Sequence, residues 1–171
     1  MADWVAARHP AVRFWCPLLN PSPRLAMAAV MAELAHWPLA STVVAGSSLG
    51  GFYATWIGAQ TGCRIGLINP AVVPARDLLS QVGTHPFWHS PEQSFEFERA
   101  YIDELQAQTL PIGQPPGERV SALIAKGDEV LDWREMTARY PGAAITLLEG
   151  SDHAISDFAD HIDAFCAGLG F

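Results

Sequence analysis

Apolar positions along the 171-residue chain follow two alternating rhythms. Short aliphatic and β-branched runs at residues 42–45, 64–68, 120–125 and 144–148 read as strands. Apolar residues at three- and four-residue spacing predict helices over 25–37, 49 to about 60, 133–140 and 154–169. Near the start, 4–8 reads as the end of a helix stopped by His9-Pro10, because a residue before proline avoids the helical region. A short strand is expected at 12–16 and a proline-rich loop at 17–23. Strand and helix alternate throughout, so the expected fold is α/β, a mostly parallel sheet with helices on both faces. Residues 74–117 break the rhythm. They hold Pro86, Pro91, Pro111, Pro115 and Pro116 around an amphipathic stretch at 95–108. The expectation is one domain, 1–171, with an irregular cap-like insertion at about 74–117.

One junction between the rhythms carries chemistry. The strand at 42–45 runs into Gly46-Ser47-Ser48-Leu49-Gly50 and then into a helix rich in small residues. Strand, Gly-x-Ser-x-Gly, helix is the layout of a nucleophile elbow, a tight turn that lifts a serine Oγ from the end of a sheet. The nucleophile would be Ser48. Gly46 and Gly50 are expected to be glycine because a Cβ at either place would clash where helix and strand pass. The backbone N–H of Leu49, next in the chain, is the expected oxyanion donor.

A serine hydroxyl is a weak nucleophile. It needs a base within hydrogen-bond reach, and the base needs a carboxylate to fix its tautomer. Such folds place the acid and then the histidine in loops after later strands. Here the strand at 120–125 is followed by Lys126-Gly127-Asp128-Glu129, and that at 144–148 by Glu149-Gly150-Ser151-Asp152-His153. Asp128 is therefore the expected acid and His153 the expected base, on the same sheet edge as Ser48. The blander roles are a turn for Asp128 and a helix-entry residue for His153. Glu129 and Asp132 are rival acids, with Asp132 better suited to capping the helix at 133. Asp152 adjoins His153, a poor position for orienting that ring, and reads as a loop residue.

Other motifs carry less. His85 and His89 are four apart but separated by Pro86, which breaks the helix that would align them, so no metal site is expected. His9, His36 and His161 read as surface residues near helix ends or on helix faces. Phe87, Trp88, Phe95, Phe97 and Tyr101 suit either an acyl pocket or a small core beneath a cap. Read as a phosphate loop, Gly46 to Gly51 lacks a following Gly-Lys-Ser/Thr, and the next strand ends at Asn69 rather than an acid.

Half of the residues are hydrophobic and 16% charged, which fits a globular chain, and the net charge of −8 disfavours nucleic acid or an anionic membrane as partner. Cys16, Cys63 and Cys166 lie far apart and read as small buried hydrophobes of a reducing cytoplasm. The start has no signal-peptide pattern. The uncharged stretch 37–63 contains proline, glycines and Ser47-Ser48, so a buried strand-turn-helix explains it better than a membrane span.

Four stretches together resemble the YqiA-type esterases, small bacterial α/β-hydrolases: Gly46-Ser47-Ser48-Leu49-Gly50-Gly51-Phe52-Tyr53-Ala54-Thr55-Trp56, Asn69-Pro70-Ala71, Gly127-Asp128-Glu129-Val130-Leu131-Asp132-Trp133-Arg134 and Gly150-Ser151-Asp152-His153-Ala154. The resemblance implies a serine esterase acting on short- to medium-chain acyl esters or thioesters without a cofactor. Nucleophile, acid and base fall on Ser48, Asp128 and His153. Members of that family open with a strand and a His-Gly loop that lends a second oxyanion donor, and His-Gly occurs nowhere in this sequence. The resemblance thus implies that Met1 is an internal methionine of a longer natural protein, lacking here a central strand and one donor. Losing one such donor costs about 2.7–4 kcal/mol of barrier. The alternative function is a catalytically impaired or truncated hydrolase-like binding domain. An exposed strand edge would favour association.

Overall fold

The computed structural model describes residues 1–87 and 90–170. Helix α1 (Ala2–Arg8) and helix α2 (Pro23–Leu34) precede strand β1 (Val43–Ser47), helix α3 (Leu49–Thr61) and strand β2 (Arg64–Ile68). The insertion carries a short helix α4 (Pro74–Asp77), a hairpin of β3 (Gly83–Phe87) and β4 (Ser90–Phe97), and helix α5 (Arg99–Gln108). Strand β5 (Val120–Ala125), helix α6 (Trp133–Arg139), strand β6 (Ala144–Leu148) and helix α7 (Phe158–Gly168) complete the fold. The main sheet is parallel throughout, in the order β1-β2-β5-β6.

β5 shows why the sheet is covered twice. Every residue of Val-Ser-Ala-Leu-Ile-Ala is buried, as expected for a parallel strand with layers on both faces. Val120, Ala122 and Ile124 pack with Met136 and Tyr140 on the α6 side, together with Ala54 of α3. Leu123 and Ala125 point the other way, to Ile162, Phe165, Cys166 and Leu169 around α7. A third cluster joins Met27 and Val30 of α2 to Phe52 and Tyr53 of α3 and to Phe97, Ile102 and Leu105 of the insertion. The expected fold is therefore present, with helices on both faces.

Local chemistry sets the element ends. Ser22 caps α2, its Oγ accepting from the Leu25 N–H at 3.2 Å, and Pro23 takes the first helical position. α3 stops at Gly62, which is left-handed at φ 79°. The Asp132 carboxylate caps α6 by accepting from the Arg134 N–H, as the sequence suggested.

Three expectations need correction. Residues 12–16 form no strand. A strand exists only through its hydrogen-bonded neighbour, and this segment pairs with none among the described residues, leaving Val12, Phe14 and Trp15 exposed. Cys16 goes with it: exposed rather than buried, unlike Cys63 and Cys166. The last helix starts at Phe158, four residues later than expected, because Ile155 takes a positive φ of 48° and turns its side chain into the core at 1% exposure. Finally, the irregular insertion holds a hairpin and an ordered helix. Among the described residues no helix is long and apolar enough to cross a membrane.

Candidate active site

The elbow forms where expected. Ser48 lies between β1 and α3 at φ 53°, ψ −122°, a conformation L-residues seldom adopt. Its N–H donates to the Ile68 carbonyl at 3.0 Å, and its own carbonyl accepts from Ala71 at 3.0 Å, so the turn is pinned to the end of β2. A Cβ on Gly46 would run into the backbone of Gly50, as expected. The reading of Gly50 is corrected: a Cβ there meets nothing within 4 Å. The tight second glycine is Gly51, whose Cβ would lie 2.8 Å from Pro70 Cβ. The helix thus approaches the strand ends one residue further along than the motif suggests.

The three expected residues meet in one hydrogen-bonded chain. His153 Nε2 lies 3.0 Å from Ser48 Oγ, and His153 Nδ1 lies 2.8 Å from Asp128 Oδ2. An ionised carboxylate only accepts, so the ring proton belongs on Nδ1, and Nε2 is left to accept from the serine hydroxyl. The Asp128 side chain is fully buried, whereas His153 keeps 22% of its side chain exposed. The two Asp128 oxygens have separate partners: Oδ2 faces His153, while Oδ1 accepts from the N–H groups of Val130 and Leu131, both at 2.8 Å, and holds the turn.

The rival acids are occupied differently. Glu129 does not meet the ring. Its Oε2 accepts from the backbone N–H of His153 at 3.0 Å. Asp152 accepts from the N–H and hydroxyl of Ser156, bonds that hold its carboxyl below the ordinary range. The loops that carry Asp128 and His153 also touch directly, since a Cβ on Gly127 would strike the Ser151 carbonyl. Leu49, at the first position of α3, carries one of the helix-start N–H groups that have no partner four residues back.

Sequence reading missed two contributors. One is Glu129, a rival acid whose carboxylate instead accepts from the His153 backbone N–H. The other is Asn69, at φ 39° directly after β2 and fully buried. Its signal was faint: a polar residue that tolerates left-handed backbone, ending an apolar strand. Among the described residues, the non-glycine positions with positive φ are Ser48, Asn69, Ser151 and Ile155, all in loops around this edge. Strained backbone gathered at one edge is characteristic of functional sites.

The aromatic residues of the insertion resolve in part. Phe97 is buried in the cluster with Met27 and Phe52, and Phe95 and Tyr101 pack against it, so these three form core. The Phe87 side chain, Trp88 and His89 lie outside the described residues. His85 lies on β3 and meets the Gln81 carbonyl. His9 and His36 follow the ends of α1 and α2, and His161 faces Asp157 within α7.

A parallel sheet with an elbow serine after one strand, and an acid and a histidine after later ones, defines the α/β-hydrolase fold. Solved structures share it. A protein from Agrobacterium vitis S4 assigned as a hydrolase is 20% identical with a TM-score of 0.61, the match covering 86% of this chain and 69% of that one. Alpha/beta hydrolase domain-containing protein 10 from mouse is 18% identical with a TM-score of 0.58, covering 85% and 67%. Est1E from Butyrivibrio proteoclasticus, solved with ferulic acid bound, is 14% identical with a TM-score of 0.58, covering 88% and 67%. The chain spans about two thirds of the length of each. The model of the uncharacterised protein family UPF0227, the YqiA family, matches residues 1–168, and the chain belongs to that family.

Proposed function

We propose that the protein is a serine esterase acting on short- to medium-chain acyl esters or thioesters. The observation that carries this reading is the hydrogen-bonded chain from Ser48 through His153 to buried Asp128. Ser48 Oγ attacks the acyl carbon while its proton passes to His153 Nε2. Asp128 stabilises the imidazolium through Nδ1–H. The Leu49 N–H faces the oxyanion. The carbon–oxygen or carbon–sulfur bond to the leaving group then breaks, and Nε2 returns the proton to that group. Water, deprotonated by the same nitrogen, attacks the acyl-enzyme, and Ser48 Oγ leaves with its proton restored. No step calls for a cofactor or metal. The fold shared with a hydrolase and a hydrolase domain agrees with this reading.

A fluorophosphonate probe should add one adduct to Ser48 by intact mass, and p-nitrophenyl butyrate should be turned over. Ser48→Ala should abolish both. Folded protein showing neither adduct nor turnover would refute the esterase reading and favour a binding domain.

A further inference from the structure

We infer that Asn69 is a positioning residue that sets the height of the catalytic base, an inference that rests on the esterase reading above. Its carboxamide bridges two loops. Nδ2 donates to the carbonyls of Asp152 and His153, at 3.1 and 3.0 Å. Oδ1 accepts from the Ala125 N–H at 2.8 Å, at the end of the strand that leads to Asp128. The Asn69 N–H donates to the Leu123 carbonyl at 3.0 Å. Two residues on, Ala71 donates to the carbonyl of Ser48. Within three residues, therefore, the chain is bonded to the backbones of the expected nucleophile and base and to the strand before the expected acid.

The fit is specific to asparagine. The site offers one buried N–H and two part-buried carbonyls, and the carboxamide supplies one acceptor and two donors. An apolar side chain would take the carboxamide away from all three backbone groups, the buried Ala125 N–H among them. Glutamine carries the same groups one methylene further out. Aspartate, when ionised, serves the Ala125 N–H but donates to neither carbonyl. The positive φ of 39° also suits asparagine, whose short polar side chain tolerates that region. Glu129 holds the His153 N–H from the acid loop while Asn69 holds its carbonyl from β2. The ring between these two bonds has little freedom to leave Ser48 or Asp128.

Asn69→Gly removes the amide without straining the backbone, because glycine accepts positive φ. It should lower kcat for p-nitrophenyl butyrate about 100-fold with KM within about threefold, the pattern of a misplaced reacting group. Fluorophosphonate labelling of Ser48 should slow in parallel. Hydrogen exchange at residues 151–155 should quicken while 120–124 stay protected. Asn69→Asp keeps the Ala125 bond and should show the same kcat deficit. It stands in if the glycine variant fails to fold. Met136→Ala, a core change on the α6 side, supplies a stability-matched control and should keep kcat. Near-wild-type kcat in both Asn69 variants, or an equal loss in the control, would overturn the inference. If the wild type itself turns over no ester, the esterase reading fails separately. Unchanged exchange at 151–155 would then overturn the Asn69 role by itself.

Discussion

The loops at the carboxyl edge of the sheet and the insertion after β2 are held in different ways. In the loops, main chain meets main chain: Ser48 to Ile68, Ala71 to Ser48, Asn69 to Leu123 and Lys126 to Leu148. Gly46, Gly51 and Gly127 leave no room for a Cβ between these segments. The insertion is attached mainly through side chains. Phe97, Ile102 and Leu105 enter the cluster with Met27 and Phe52. At its margins Gln108 Nε2 donates to the Pro23 carbonyl, Glu104 meets the start of α2, and Arg76 pairs with Glu135 of α6. The first region cannot shift without breaking backbone bonds. The second can loosen by side-chain rearrangement. The reacting geometry and the segment expected to cap it are thus adjustable separately.

The strongest way to break this contrast is Gly46→Ala. The new methyl group would meet backbone on both Gly50 and Gly51, which cannot rotate away. The expected outcome is a loss of at least about 3 kcal/mol in urea unfolding. Gly50→Ala, four residues on in the same motif, meets open space and should change stability by less than about 1 kcal/mol. Equal effects would mean that the close approach is not what fixes the elbow. Next in size is Leu105→Ala, which empties a fully buried position in the insertion. It should cost roughly 2–4 kcal/mol, and hydrogen exchange should quicken over 99–108 while 120–125 keeps its protection. If β5 loosened equally, the two regions would form one cooperative unit and the comparison would fall.

The same contrast governed what the sequence could reveal. The ranges expected for the strands at 64–68, 120–125 and 144–148 match β2, β5 and β6 residue for residue, because each is a short run dominated by aliphatic residues. Ser48, Asp128 and His153 could be singled out as candidates because each follows a short apolar run. The hairpin was hidden by Pro86 and Pro91, since proline argues against a strand that must donate on both sides. A two-stranded ribbon is all edge, and Pro86 sits opposite Ser94 just before a register shift. The strand expected at 12–16 failed for the converse reason: its apolar residues suited pairing, but pairing depends on a neighbour that local pattern cannot supply. Asn69 escaped because its work lies in three bonds to residues 56 to 84 positions away.

The smallest expected effect is a pH response confined to the insertion. Glu104 Oε2 accepts from the Ser22 hydroxyl at 2.7 Å and the Arg24 N–H at 2.9 Å, fastening α5 to the first turn of α2. Burial works to raise its pKa, but these bonds and the Arg24 charge hold the carboxyl below its ordinary range. A depressed folded-state pKa gives stability that is fully present above the unfolded value, about 4.3, and is lost as pH falls through the lower folded value. Arg76 depresses Glu135 in the same sense, but both partners are largely exposed and that pair adds little. Between about pH 5 and 3, exchange protection over 99–108 should therefore fall by about fivefold, equivalent to about 1 kcal/mol, after correction for the intrinsic rate. β5 should be unchanged. Glu104→Gln keeps the shape but not the charge and should flatten the response. If the glutamine variant loosens over the same interval, Glu104 is not the latch. If β5 loosens with the insertion, acid acts on the whole domain and the two regions are not held separately.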